Sequence, residues 1–147
     1  MNLVDALRGE HGVIRGMLLR LVREEHELSA AAVSFGLALL EEALASHSMV
    51  EDDLLFDGLL TPKPGVAQVL ASMRNEHTAI RSSLANLSRT RHQFRRGPMA
   101  SFAELVLEHF AVEERVLFPM AQSLLSPDEL EAAGRQWAKR RNVQMEP

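Results

Sequence analysis

Glu10-His11-Gly12-Val13-Ile14-Arg15 decides the reading of this chain, because it returns 66 residues later as Glu76-His77-Thr78-Ala79-Ile80-Arg81. A second pattern, His47-x-x-x-Glu51 followed by Leu54-Leu55-Phe56, returns 62 residues later as His109-x-x-x-Glu113 followed by Val116-Leu117-Phe118. Four histidines and two glutamates thus recur in the same order. Packing alone does not ask for such a pattern, whereas metal ligation does.

Around these residues, apolar positions follow alternating spacings of three and four through four segments, which predicts four helices. The first stripe is Val4, Leu7, His11, Ile14, Leu18, Leu21 and Leu28, and the third is Leu70, Met73, His77, Ile80, Leu84, Leu87 and Phe94. The second runs Val33, Leu37, Leu40, Leu44, His47, Glu51, Leu54, and the fourth Phe102, Val106, His109, Glu113, Val116, Met120. All six residues of the repeat therefore sit on core-facing stripes.

Breaks fall at Ser29-Ala30, at Thr61-Pro62-Lys63-Pro64-Gly65 and at Gly97-Pro98. Ser126-Pro127-Asp128-Glu129 adds a capping signal that starts a short terminal helix at about 127–140, carrying Leu130 and Trp137. The fold class read from this pattern is all-α, a four-helix bundle over about 3–125 with a C-terminal extra helix. Short connections make successive helices antiparallel. At about 1.5 Å per residue that brings His11 level with His47 and Glu51, and His77 close to the level of His109 and Glu113.

With 147 residues and 46% apolar content, the chain suits a single domain over 1–147. A net charge of -4 with interspersed bases argues against a nucleic-acid or membrane partner. Charged residues within the first ten positions interrupt any signal-peptide region, which predicts a cytoplasmic protein. There is no cysteine, so a metal must be held by imidazole and carboxylate, ligands that suit iron, manganese or zinc.

A His and a Glu four apart on a helix share one face, with Cβ atoms about 5–6 Å apart. Two such pairs and two further histidines supply four nitrogens and four carboxylate oxygens. That is too many for one tetrahedral zinc and suits two metals sharing Glu51 and Glu113, with open positions for a small ligand. A lone buried His is more often a hydrogen-bonded core residue. Two buried carboxylates at one level, each costing several kcal/mol to desolvate, are another matter and call for a cation. His26 and His92 lie about 22 Å along the axis from the motif histidines and are read as surface or polar-end residues. Glu10 and Glu76 are read mainly as solvated acids or partners of Arg15 and Arg81, with support of a ligand as the weaker alternative. Asp52, Asp53 and Glu114 are expected to face solvent, although Asp52 and Glu114 match across the repeat and offer alternative carboxylates.

The pattern resembles the hemerythrin-like, or HHE cation-binding, domain on His11, His47, Glu51, His77, His109 and Glu113. Glu113-Glu114-Arg115-Val116-Leu117-Phe118-Pro119 is similar to the family's ending of the fourth helix, and the resemblance covers residues 3 to about 125. It implies an up-down-up-down bundle holding two iron ions, rather than zinc or manganese, bridged by Glu51 and Glu113. Family members carry, sense or react with O2, peroxide or nitric oxide, or take part in iron handling and repair. The oxygen carriers have a further His one turn before the third-helix ligand, where this chain has Met73, with Leu7 in the equivalent place of the first half. Each iron would keep only two histidines, which turns the expectation from reversible O2 storage toward oxidant turnover. Tyrosine is absent, so no phenolic ligand or radical is available. Asp57 stands where Pro119 stands in the second half, so a kink is expected only in the fourth helix.

The leading expectation is a di-iron protein that binds or reacts with O2, peroxide or NO, with peroxide decomposition or NO chemistry as its enzymatic form. The alternative is a non-catalytic O2- or NO-sensing or iron-holding module that acts through a protein partner, favoured if the segment of Leu130 and Trp137 leaves an apolar patch. A third is a structural bundle holding zinc or nothing.

Overall fold

Asn2 opens the first helix by accepting the backbone N–H of Asp5 at 3.0 Å, and the stripe that follows it runs as α1, Leu3–Glu24. Ser29 caps α2, Ala30–Val50, by accepting from Ala32 N–H at 3.2 Å. Gly97, at φ 136°, leads into Pro98 and α4, Pro98–Val112, in a conformation that only glycine adopts without strain. Between them lies α3, Val66–Thr90. α5, Phe118–Leu124, prolongs α4, and α6 is Pro127–Arg140. These elements belong to a computed structural model that describes residues 1–24, 26–59, 65–90 and 97–144. The Thr61 to Pro64 break, Phe94 and His92 lie outside the described residues.

The described residues are helical, without strands. α1 packs on α2 and α4, and α3 on α2 and α4, which closes the four-helix ring with neighbours in chain order. α6 lies outside that ring against α1 and the end of α2. Its capping box is complete: Glu129 N–H donates to Ser126 Oγ at 3.3 Å and Ser126 N–H to Glu129 Oε2 at 2.7 Å. Its other end closes with Asn142 at φ 53° and Val143 N–H donating to Ala138 O at 2.9 Å, a left-handed cap. No described helix is long and apolar enough to cross a membrane.

The register departs from the sequence expectation at two matching places. After Val50 the backbone continues as a π-helix over Glu51–Phe56, and after Val112 as another over Glu113–Leu117. Each wider turn accommodates one extra residue, so the stripe slips by one from there on. Leu55 and Phe56 are fully buried in place of Leu54, and Leu117 and Phe118 in place of Val116, which is 48% exposed. The disturbance expected only in the fourth helix thus occurs in both halves. It begins at the glutamates, without a proline in the first half, so Pro119 is not its cause.

Two apolar clusters fill the bundle. One gathers Leu3, Leu7, Leu55, Phe56, Leu70, Met73, Leu117 and Phe118 near the chain-terminal end, and α6 adds Leu130 to it. The other gathers Ile14, Leu18, Leu40, Leu44, Ile80, Leu84, Phe102, Val106 and Phe110 at the opposite end. Between them the buried layer is polar.

Candidate metal centre

That polar layer is His11, His47, Glu51, His77, His109 and Glu113, all buried at 0–3% exposure. α1 and α3 each contribute one histidine, and α2 and α4 each contribute a histidine at their last turn and the glutamate that begins the π-helix. All six predicted residues therefore converge, at the depth where the two apolar clusters part.

They form two overlapping groups able to hold a metal ion: His11, His47, Glu51 and Glu113, and His77, His109, Glu51 and Glu113. In each group one ligand atom per residue lies within 4.8 Å of all the others, and both glutamates belong to both groups. All four imidazoles present Nε2 inward. His11 Nε2 is 3.2 Å from Glu113 Oε2, His47 Nε2 3.6 Å from Glu51 Oε2, His77 Nε2 3.2 Å from Glu51 Oε2, and His109 Nε2 2.8 Å from Glu113 Oε1.

Proximity does not satisfy these atoms. Both oxygens of Glu51, both of Glu113, and Nε2 of His77 and His109 are buried without a directed hydrogen bond. A native interior rarely tolerates such a concentration of orphaned polar atoms, because each costs on the order of 1–3 kcal/mol. Donors of this kind, two nitrogens per group with shared carboxylates, are what a pair of iron, manganese or zinc ions accepts. The residues present fit a metal.

The outer face of three of the four rings is held by a carboxylate. His47 Nδ1 donates to Glu10 Oε2 at 2.8 Å, His109 Nδ1 to Glu76 Oε2 at 2.8 Å, and His11 Nδ1 to Glu114 Oε1 at 2.9 Å. His77 Nδ1 faces Asp52 Oδ1 more loosely, at 3.9 Å. A carboxylate only accepts, so Nδ1–H is the donor in the three close contacts, and Nε2 is the nitrogen left to ligate a metal. Glu10 and Glu76 are thus not merely solvated acids, and Glu114 and Asp52 are only about one-third exposed. Arg15 reaches Glu114, at 3.4 Å, rather than Glu10.

Aromatic walls complete the symmetry. Phe118 stacks on His11 with centroids 5.4 Å apart and Phe56 on His77 at 5.9 Å, while Arg8 covers Phe118 and Arg74 covers Phe56 at 5.7 and 5.2 Å. Phe110 lies flat on His11, 3.9 Å away at 10°. Helical periodicity alone does not single out these phenylalanines or Arg8 and Arg74. Their signal was the same pair of offsets: Arg8 and Arg74 share the interval of the lone histidines, Phe56 and Phe118 that of the glutamates. His26, by contrast, is exposed and away from the cluster.

Burial pushes the Glu51 carboxyl up, and the charge of Glu113 adds to it. Burial acts the same way on Glu113, but the close approach of His109, His11 and His77 outweighs it and holds that carboxyl well below the usual range. His77 is desolvated too, yet its contacts with Glu113 and Glu51 push it up to about 9. Without a cation, protons on the histidines balance the glutamates, and a bound metal would displace them.

A small cavity of about 10 Å³ touches the cluster between α2 and α3, bordered by His47, His77, His109, Ile80 and Phe110. It has room for about one water-sized molecule.

The family profile described as the Hemerythrin HHE cation binding domain matches residues 2–121. No curated protein and no solved structure matches the chain. Matched over most of its length, and carrying the His and Glu cluster in a helical bundle, the chain belongs to the hemerythrin HHE cation-binding family.

Proposed function

We propose that this chain is a non-haem di-iron protein, with His11 and His47 serving one iron, His77 and His109 the other, and Glu51 and Glu113 bridging them. It binds or reacts with a small oxidant: O2, peroxide or NO. The observation that carries this reading is the pair of buried, shared carboxylates whose four oxygens lack directed partners. Bound iron would supply the redox chemistry and open coordination positions. The protein supplies geometry: outer carboxylates fix the imidazoles of His11, His47 and His109, the phenylalanines keep the surroundings dry, and the small cavity limits the ligand to a few atoms.

Leu7 and Met73 support oxidant turnover over storage. Both are buried in the apolar cluster near the chain-terminal end, one turn from His11 and His77, and neither offers the further imidazole of an oxygen carrier. The decisive experiment is metal content and an optical spectrum of protein from iron-supplemented cells, repeated for Glu51→Ala and Glu113→Ala. Two irons per chain with near-ultraviolet charge-transfer bands, lost in both variants, are expected, together with peroxide consumption by the oxidised protein. One zinc, or an intact fold that takes up no metal, would overturn the reading.

One observation favours the second reading, a sensing module acting through a partner. An apolar groove of about 680 Å³, bordered by Val13, Met17, Leu39, Ala43 and Trp137, opens between α1, α2 and α6 and reaches Glu10. Loss of peroxide chemistry with retained NO or O2 binding would favour that role.

A further inference from the structure

The repeat makes the two halves of the cluster nearly equivalent, but α6 reaches only one of them. Glu10, which fixes His47 through Oε2, has its other oxygen occupied by two side chains from the end of the chain. Trp137 Nε1–H donates to Glu10 Oε1 at 2.8 Å and Arg141 Nε–H to the same oxygen at 2.6 Å. Arg141 then continues to α2, where its Nη atoms meet Ser46 Oγ and, at 3.1 Å, Ser46 O, next in sequence to His47. One guanidinium therefore ties α1, α2 and the terminal helix together at the back of a single imidazole.

Glu76 occupies the equivalent place behind His109 and has no such clamp among the described residues. Its further contact is Ser72 Oγ at 3.4 Å, and its side chain is 37% exposed against 16% for Glu10. The other two outer carboxylates repeat the imbalance. Glu114 sits 2.9 Å from His11 with Arg15 behind it, whereas Asp52 stands 3.9 Å from His77, with Arg74 at 3.5 Å. Both rings on the His11 and His47 side are held closely, and on the other side only one is.

We propose that Trp137 and Arg141 are positioning residues for the metal at His11 and His47: by fixing Glu10 they fix His47, so this position binds its ion more tightly than the His77 and His109 position, and its occupancy and the docking of α6 reinforce each other. The physical basis is that an outer-shell acceptor which cannot move keeps its imidazole in the ligating tautomer and orientation, an effect on the order of 10- to 100-fold in metal affinity. Reciprocity follows from linkage, since a helix end that favours the loaded site must itself be favoured by loading. The proposal rests on the two-metal reading above. It assigns to α6, which lies beyond the part of the chain matched by the family profile, a direct bearing on one metal position.

The test is a zinc titration of the metal-free 147-residue chain, followed by calorimetry and by emission of Trp137, its one tryptophan. Zinc is redox-silent and does not quench. Two steps are expected, the first roughly 10- to 100-fold tighter, with the emission change confined to the first. Arg141→Met and Trp137→Phe should weaken the first step and leave the second, Arg141→Lys should recover part of the loss, and Glu76→Gln should weaken only the second. Equal weakening of both steps, or unchanged steps in both Arg141→Met and Trp137→Phe with helical content retained, would overturn the positioning role while leaving the two-metal site standing. A parent chain that takes up no zinc would overturn the two-metal reading and this proposal with it.

Discussion

Glu10 on α1 holds the outer nitrogen of His47, 37 residues away on α2, at 2.8 Å. Each such acid sits beside one member of the cluster in sequence and serves another in space. Glu10 precedes His11 but holds His47, and Glu114 follows Glu113 but holds His11. Glu10→Gln keeps the shape of the contact and removes its charge, leaving a weaker acceptor for Nδ1–H. Metal affinity at the His47 position should fall roughly 10- to 100-fold with helical content preserved. Competition against a chelator of known affinity measures this, and unchanged affinity would show that Glu10 does not support His47.

The metal-free protein should lose stability as pH rises above neutrality. His77 is held at about 9 in the fold against 6.5 for the free side chain, so the folded state binds its proton more tightly. That contribution is fully present below about 6.5 and is lost as pH rises through about 9, with an upper size of about 3 kcal/mol. Glu51, pushed up by burial and by the charge of Glu113, acts in the same direction. Thermal melts of chelator-treated protein between pH 6.5 and 9 should therefore show a falling midpoint. Metal-loaded protein should not, because the ion replaces those protons. A flat profile without metal would contradict the charge balance described for the cluster.

Register gives a sharper contrast. Spacing by threes and fours puts Val116 inside, but the π-turn that starts at Glu113 puts Leu117 there and leaves Val116 at the surface. Val116→Asp should change stability by less than about 0.5 kcal/mol, while Leu117→Ala should cost about 2–5 kcal/mol. Chemical denaturation of the two variants decides between the registers, and the reverse order would place the fourth helix in the uninterrupted α spacing.

These residues mark how far the sequence could be read. The bundle and the convergence of the six polar residues were legible because both depend on helical period and antiparallel order, which are local properties. The π-turns were not, since a single extra residue changes the period only where the glutamates enter the site, and nothing in Glu51-Asp52-Asp53 or Glu113-Glu114-Arg115 announces it. The outer carboxylates were half visible. Glu10 and Glu76 lie off the core stripe and looked solvated, and only the neighbouring helix turns that flank into an inner layer. The interval between them carried the information: a polar pair that repeats with the ligands has a reason to repeat.

The docking of α6 makes the most local prediction, at Gly134. A Cβ there would stand 2.6 Å from the Met1 carbonyl oxygen and 3.0 Å from Asn2 C, both backbone atoms that cannot swing aside. Gly9 and Gly16 on α1 have nothing within 4 Å of the same added atom. Alanine at an open helical position should stabilise by about 0.5–1 kcal/mol, because it restricts the unfolded chain and favours helix. Gly134→Ala gains the same term but must push α6 away from the N-terminus, and overpacking of this kind costs about 1–3 kcal/mol. Gly9→Ala and Gly16→Ala should accordingly raise the midpoint of thermal unfolding and Gly134→Ala lower it. Because Trp137 rides on α6, its emission should shift to the red in Gly134→Ala alone. If all three substitutions stabilise alike, α6 does not press on Met1 and Asn2, and the closeness of that contact would have to be abandoned.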